Sequence, residues 1–329
     1  MIIYVHRDSI YENQTIGSWG IPIFKYLRKK GKNVKIIDAH DFDVVKNLNP
    51  NDDDLFFGRF GHDVDDKRLS QATLPFIWNK FKKSFPSKSS YFYYDDKHRQ
   101  YAFMKNNSIP CLKTFYVKDK DDVDNSDLNF PIVMKKTWGA GSEQVKYFET
   151  LDDVIDDDET RGWTQQSIYP SLIQEYQDID FDYRVMVYKS GFIIYKRLNE
   201  WKTKNKDNFP YGTEWRERKD ILKLRKSVAH APKLVDAFDE LNDELLDLIL
   251  HLKKIQVEKL DTYFTSWDII KTKDGYKVLE FSVTSSMHNP FDKFYDFETK
   301  KILQEFNNPV LHRNGEFRGI TKLLQEYLK

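Results

Sequence analysis

The stretch that decides the fold runs from Thr265 to Ser286, TSWDIIKTKDGYKVLEFSVTSS. Two apolar segments rich in β-branched and aromatic residues, Trp267–Ile270 and Tyr276–Phe281, flank the turn signal Asp274-Gly275. Such segments on either side of an Asp-Gly pair predict an antiparallel β-hairpin. The apolar content of both segments predicts strands that are largely buried.

Two carboxylates are predicted to meet on this hairpin. Alternation along the second strand places Val278, Glu280 and Ser282 on one face, and closure of the turn brings Asp268 opposite that face. Carboxylates this close share a proton or hold a cation, because like charges cannot both stay ionised unaided. Mg²⁺ suits them, since it binds through one or two carboxylates plus phosphate oxygens. An ordinary hairpin with Glu280 on a solvated edge is the alternative.

The hairpin resembles the metal-binding end of ATP-grasp ligases, in particular the branch of prokaryotic glutathione synthetase and ribosomal-protein S6 glutamate ligase (RimK-like). The family pattern is Asp, a hairpin and Glu-x-Asn, followed in some members by Val-Thr-Ser. Asp268 and Glu280 match the two metal carboxylates. Ser282 stands where the family has Asn, so its role as a third metal ligand stays open. The resemblance implies ATP and Mg²⁺ as cofactors, with Mn²⁺ as a substitute.

The resemblance also implies a fold of mixed α+β and α/β class. Two α+β subdomains of the ATP-grasp fold would clasp ATP, preceded by a small parallel α/β pre-ATP-grasp domain. The predicted domains are residues 1–88 (pre-ATP-grasp), 89–172 (lid subdomain) and 173–329 (core subdomain with the metal site). The N-terminal pattern agrees, because a strand at Ile2–Val5, a helix at Ile21–Lys30 and a strand at Val34–Ala39 indicate a parallel α/β unit.

Further elements follow from apolar periodicity and turn residues. We expect a third strand at Leu55–Phe60, a helix at Leu74–Phe85 and a polar linker at Ser87–Ser90. Apolar residues at three- and four-residue steps between positions 238 and 252 predict a core-facing helix. We also predict a polar loop that starts at Asn289 and a C-terminal helix at Ile320–Leu328.

Composition limits the classes of protein that fit. The 329 residues are 40% hydrophobic, enough for a sizeable core and two or three subdomains. Basic and acidic residues are equal at 52 each, so no global field favours nucleic acid or an acidic membrane. The single cysteine, Cys111, fits a reducing compartment, and the chain lacks a signal-peptide pattern and a membrane-spanning apolar stretch. We predict a cytoplasmic protein, with homo-oligomerisation left open.

Two lysines are candidates for phosphate binding. Asp95-Asp96 opens a predicted helix with Lys97 in its first turn, and the family has a phosphate-contacting lysine there; a solvated surface lysine is the alternative. Lys135 matches the family pattern Pro-x-x-x-Lys, whose lysine reaches the phosphates. The small-residue turn 137–142, TWGAGS, follows it and predicts a lid whose N–H groups reach phosphate.

The adenine and ribose are assigned by resemblance to one segment. Leu172–Tyr176 is a predicted strand at the family's hinge between subdomains. Backbone groups around Glu175, Tyr176 and Gln177 would pair with the adenine edge, as suits recognition by one C=O and one N–H. Asp182 would accept hydrogen bonds from the ribose hydroxyls.

Two arginines are the candidates for catalysis. Arg184 and Arg197 lie on predicted adjacent strands, where their guanidiniums would stand side by side as donors to carboxylate and phosphoryl oxygens. Surface salt bridges are the alternative for either one. The resemblance assigns them to phosphate and substrate-carboxylate binding, and Asn208 aligns loosely with a family Asn near the phosphates.

These features together predict an ATP- and Mg²⁺-dependent carboxylate–amine ligase that forms an amide or peptide bond through an acylphosphate. An ATP-binding regulatory or scaffold module without ligase activity is one alternative, favoured by Ser282, and an ATP-grasp phosphotransferase is another. The expected partners are an amine and a small-molecule, peptide or sugar-acid carboxylate. The loops expected to bind the acceptor substrate, such as Asn13–Gly20, have no sequence pattern that identifies it.

Overall fold

The computed structural model describes residues 1–6, 27–28, 30–58, 60, 64–137, 145–159, 169–198, 233–284, 291–304 and 315–328. The loop Asn13–Gly20, most of the predicted helix Ile21–Lys30, the turn from residue 138 and Asn208 lie outside these residues. Three sheets fall within residues 2–85, 114–175 and 181–304. The domain boundaries themselves stay a prediction. None of the helices in the described ranges has the length and apolar character that crossing a membrane requires.

The first sheet is parallel, with the strand order β2-β1-β3-β4. Its strands are β1 (Ile2–His6), β2 (Asn33–Ile37), β3 (Leu55–Phe57) and β4 (Lys83–Phe85), and its helices are α1 (Phe42–Lys46), α2 (Val64–Lys80) and α3 (Lys88–Tyr91). Strands that alternate with helices bury both faces of a parallel sheet. The predicted parallel α/β unit is therefore confirmed.

The bounds of several elements in this unit differ from the prediction: β1 extends to His6, and β2 covers Asn33–Ile37 where Val34–Ala39 was predicted. The predicted strand Leu55–Phe60 ends at Phe57, and the predicted helix Leu74–Phe85 was wrong at both ends. The helix begins at Val64 and ends at Lys80, and residues 83–85 pair with β3 as β4. Periodicity could not separate the two elements, because the apolar residues of a short buried strand continue the spacing of the helix before it.

The predicted polar linker Ser87–Ser90 is a buried helix start. Ser87 is the N-cap of α3 and accepts a hydrogen bond from the N–H of Ser90 at 3.1 Å. Its hydroxyl donates to the carbonyl of Leu260 at 2.7 Å, and both serines are buried. Serine suits caps as well as linkers, and only the contact with a residue far along the chain decides between them.

The second sheet is antiparallel, with the order β5-β8-β6-β7. Its elements are α4 (Lys97–Asn106), β5 (Thr114–Val117), α5 (Lys120–Asp124), β6 (Ile132–Lys136), β7 (Val145–Phe148), α6 (Leu151–Glu159) and β8 (Ser171–Glu175). Val117, Ile132 and Ile173 belong to its own small core. Asp96 caps α4 at Lys97, so the helix start predicted from Asp95-Asp96 is confirmed.

The third sheet is antiparallel and follows the order β13-β12-β9-β10-β14-β15, with β11 also on β10. Its elements are β9 (Phe181–Tyr188), β10 (Gly191–Leu198), β11 (Lys233–Asp236), α7 (Asp243–Lys259), β12 (Phe264–Thr272), β13 (Gly275–Ser282), β14 (Lys293–Asp296), β15 (Lys301–Gln304) and α8 (Gly315–Leu328). The predicted core-facing stripe is confirmed from Leu245 onward, since Leu245, Ile249 and Leu252 are buried, whereas Phe238 lies in a short 3-10 helix before α7. Strands β14 and β15 correct the predicted polar loop after Asn289.

The hairpin of β12 and β13 contains a β-bulge. Asp268 pairs with Glu280, but the next residue, Ile269, pairs with Val278, so Leu279 is the extra residue. A bulge shifts the alternation of side chains by one position. Val278 therefore packs in the core, and the prediction that it shares a face with Glu280 was wrong. Without the bulge, strict alternation would place Glu280 on the same face as Val278, which is the face that packs in the core.

Candidate active site

Five charged side chains form a row across one face of the third sheet. Arg197 in β10 pairs with Asp182 in β9, and Arg184 in β9 pairs with Asp268 in β12, which pairs with Glu280 in β13. Directly opposite residues project from the same face of a sheet. We call these five residues the charged row. Its members come from four adjacent strands, so the sheet register holds them in place.

Asp268 is the centre of the charged row. Arg184 approaches it with Nε 2.6 Å from Oδ1 and donates from Nη2 to Oδ2 at 3.1 Å. Arg197 lies with Nη2 2.8 Å from Oδ2. Burial alone would raise the pKa of Asp268, but the two guanidiniums outweigh it and hold the pKa below its ordinary value. The carboxylate is therefore ionised at neutral pH.

Arg197 also binds the fifth member of the row. Its Nε donates to Oδ1 of Asp182 at 2.7 Å and its Nη2 to Oδ2 at 2.5 Å, a bidentate pair. Burial alone would lower the pKa of Arg197, but Asp182 and Asp268 raise it well above the ordinary value. Both oxygens of Asp182 thus accept hydrogen bonds from Arg197. The sequence prediction, which gave Asp182 only a role as ribose acceptor, did not include these bonds. That ribose role stays a prediction.

Lys135, on the second sheet, has an ammonium group that interacts electrostatically with the charged row. It lies on β6, and burial lowers the pKa of its ammonium, while Glu280 and Asp268 oppose that change and Lys97 adds to it. Lys135 is thus within electrostatic reach of both carboxylates of the hairpin and of the second lysine. Cations from one sheet and anions from another converge on one region, where an anionic ligand and a cation could both be held.

Lys97 is tied to this region through its backbone. At the start of α4 its N–H donates to the carbonyl of Thr137 at 2.8 Å, one residue beyond β6. Gln100, one turn further along the helix, accepts from the N–H of Phe281 at 3.2 Å. The helix therefore connects the end of β6 to the strand of Glu280. Sequence reasoning missed both contacts, because neither Thr137 nor Gln100 has a pattern that predicts a distant partner.

The segment after β8 is held against the start of β6 through Tyr176. The N–H of Tyr176 donates to the carbonyl of Pro131 at 2.9 Å, and its ring packs edge-on against Tyr147 with the centroids 5.0 Å apart. Backbone groups of an extended chain alternate in direction. The C=O of Glu175 belongs to the same peptide unit as the N–H of Tyr176 and therefore faces away from β6.

The donor set of the hairpin fits a hard divalent cation. Asp268 and Glu280 offer carboxylates, and Ser282 lies on the same face with a hydroxyl. Within the part of the chain that the structure describes, no cluster of three or more His, Cys, Asp or Glu residues surrounds this point. Two carboxylates are the usual protein share of an Mg²⁺ site that is completed by phosphate and water. A cation at Asp268 would share that carboxylate with Arg184 and Arg197.

Comparisons with known proteins identify similar folds. No family model matches the chain, and a search of curated proteins found no match. Among solved structures, D-cycloserine synthetase DcsG is 14% identical with a TM-score of 0.57, over 87% of this chain and 92% of that one. The ATP-grasp ligase PsnB, complexed with minimal precursor, Mg and ADP, is 14% identical with a TM-score of 0.56, over 100% and 98%. A RimK domain ATP-grasp protein from Sphaerobacter thermophilus is 10% identical with a TM-score of 0.54, over 97% of each.

Proposed function

Because the chain has the ATP-grasp fold, we propose that it is an ATP- and Mg²⁺-dependent carboxylate–amine ligase. The observation that carries the proposal is the pairing of Asp268 with Glu280 at the end of the charged row, close enough to Lys135 for both carboxylates to raise the pKa of its ammonium against the effect of burial. A triphosphate needs cations around its oxygens, and a metal ion needs carboxylates. This region offers both.

The nucleotide would lie between the second and third sheets. Lys135 and Lys97 would bind phosphate oxygens, and the C=O of Glu175 and the N–H of Gln177 would pair with the adenine edge. Support for the adenine position comes from Tyr176, whose N–H is bonded to Pro131 and so sets the direction of its neighbours. Asn208 keeps its predicted place near the phosphates and lies outside the described residues.

Asp268, Glu280 and the hydroxyl of Ser282 would hold Mg²⁺, or Mn²⁺ in its place. When bound, the metal ion supplies neutralising charge to the phosphate oxygens. Arg184 and Arg197 are the catalytic candidates, because forked guanidiniums stabilise charge on a phosphoryl group in transfer. Their contacts with Asp268 hold both guanidiniums beside that carboxylate in the free protein. The site is therefore organised in advance, which is where electrostatic catalysis gains most.

The proposed reaction has two steps. A carboxylate oxygen of the substrate attacks the γ-phosphorus of ATP, the bond to the β-phosphate oxygen breaks, and an acylphosphate and ADP form. The amine then attacks the acyl carbon and phosphate leaves with one former carboxylate oxygen, while the amine nitrogen loses a proton. No side-chain nucleophile is needed. The residues bind and orient the substrates, and they exclude water, which would otherwise hydrolyse the acylphosphate.

The substrate classes are a small-molecule, peptide or sugar-acid carboxylate and an amine. A peptide is included because PsnB, with the same fold, was solved with a minimal precursor. We place the protein in the cytoplasm, consistent with its single cysteine, Cys111. The equal numbers of basic and acidic residues, 52 each, give no support for nucleic acid or membranes as partners.

Hydroxylamine provides a test that does not require the natural amine. Purified protein is incubated with Mg-ATP, hydroxylamine and a panel of carboxylates, and hydroxamate and ADP are measured. A ligase forms both in equal amounts with at least one acid, and ¹⁸O in that carboxylate appears in phosphate. Glu280→Gln should abolish hydroxamate formation, whereas Glu258→Gln, the same change at an exposed helix position, should leave it intact.

Two results would contradict the ligase. One is nucleotide binding without turnover for every acid, combined with unchanged Mg-ATP affinity in Glu280→Gln; this describes a regulatory module. The other is a stable phosphorylated product that hydroxylamine does not trap, detected by mass, which describes a phosphotransferase.

A further inference from the structure

A buried ion pair joins the first unit of the fold to the start of α4. Lys67 in α2 places Nζ 2.8 Å from Oδ2 of Asp95, and the two side chains are 2% and 12% exposed. The same ammonium lies over the ring of Tyr94, 5.6 Å from its centroid. Moving two charges out of water costs about as much as their attraction returns, so such a pair gains little over apolar residues of similar volume. The pair therefore calls for a reason other than stability.

Asp95 has a backbone conformation that needs support. Its φ is +50°, in the left-handed region that non-glycine residues seldom adopt, although Asp tolerates it better than most. The next residue, Asp96, caps α4 by accepting from the N–H of Arg99 at 3.0 Å. The turn at Asp95 thus sets where the helix begins, and the ion pair with Lys67 holds that turn.

The start of the helix sets the position of Lys97. Its N–H is bonded to Thr137 at 2.8 Å, two residues beyond Lys135 on the adjoining strand. A change in the turn at Asp95 would move Lys97 relative to β6 and to Lys135.

We propose that Lys67 and Asp95 are positioning residues for nucleotide binding, whose ion pair holds Lys97 where it contacts phosphate. The inference rests on the proposed function, because it takes Lys97 as a phosphate ligand. Lys67 itself binds no nucleotide and acts through Asp95 and the helix start. The first unit of the fold therefore contributes to ATP affinity through a contact between side chains outside the nucleotide site.

The test measures affinity for the Mg²⁺ complex of a non-hydrolysable ATP analogue by calorimetry. We expect Asp95→Asn and Lys67→Met each to weaken binding by about tenfold, the loss of one well-placed charged contact. In a Lys97→Met background, Asp95→Asn should cause no further loss. The double variant Lys67→Met with Asp95→Asn removes both charges, so it should regain wild-type thermal stability and still bind weakly. Lys83→Met, at an exposed ion pair with Asp53 in the same unit, is the matched control and should bind like wild type.

The outcomes separate the inference from the function it rests on. If the double variant regains affinity along with stability, the pair serves stability alone and the inference is wrong. It is also wrong if Asp95→Asn weakens binding as much in the Lys97→Met background as in wild type. If the wild-type protein does not bind the analogue, the proposed function fails; if it binds and only Lys97→Met weakens binding, the inference alone fails.

Discussion

The two carboxylates of the hairpin differ in what they do for the free protein, and substitution can separate them. Asp268 is 8% exposed and neutralises Arg184 and Arg197, which are 17% and 23% exposed. Among the described residues, Glu280 has no ion pair or hydrogen bond of this kind. Asp268→Asn should therefore lower both Mg-ATP binding and stability, whereas Glu280→Gln should lower only the binding.

The size of the effect follows from the burial of the row. Removing one partner of a buried ion pair costs about 3 to 5 kcal/mol, and the partial exposure of the arginines and the remaining Asp182 favour the lower value, about 3 kcal/mol. Unfolding entropy is about 2.1 cal/mol/K per residue, or about 0.7 kcal/mol/K for 329 residues. Asp268→Asn should thus lower the midpoint of thermal unfolding by about 4 °C.

Thermal unfolding followed by circular dichroism, at several pH values, tests this reasoning. The pKa of Asp268 is lowered in the folded protein, so its contribution is complete above the unfolded pKa of about 3.9 and is lost as pH falls through the folded value. The difference between wild type and Asp268→Asn should therefore be constant near neutral pH and shrink in acid. Equal midpoints for Asp268→Asn and Glu280→Gln at pH 7 would refute the assignment of Asp268 as the neutralising centre.

Three further variants test the packing around the third sheet and the weak contribution of a surface ion pair. Gly191→Ala should destabilise the protein by about 1 to 3 kcal/mol or prevent folding, because a Cβ there would lie 2.0 Å from the carbonyl of Tyr295; urea unfolding measures it, and wild-type stability would contradict it. Ile249→Ala in the buried stripe of α7 should cost about 2 to 5 kcal/mol in the same assay, and a loss well under 1 kcal/mol would mean that the helix does not pack as described. Lys113→Ala, at an exposed pair with Asp127, should leave the unfolding midpoint unchanged, and a clear shift would contradict the weak effect expected of surface pairs.

Local sequence was sufficient to predict the hairpin and to predict that the N-terminal strands are parallel. Asp274-Gly275 between two apolar segments predicts the turn, but the register that starts from Thr272 opposite Gly275 would place Asp268 opposite Leu279, and only the bulge brings it opposite Glu280. Side-chain alternation was predicted less well, because the bulge at Leu279 is an extra residue that spacing alone does not reveal. Only with that bulge can Val278 face the core while Glu280 faces the opposite side of the sheet, next to Asp268.

Sequence by itself determined the first strands, the hairpin, the apolar stripe of α7 and the residue types that suit a metal and phosphate site, since these depend on neighbours along the chain. Tertiary structure alone decided which charges pair. Asp182 engages Arg197 across adjacent strands, and Lys67 reaches Asp95 from another unit. Such contacts depend on the register of paired strands and on how helices pack against other elements, because electrostatic partners are selected by distance in space and not by separation in sequence.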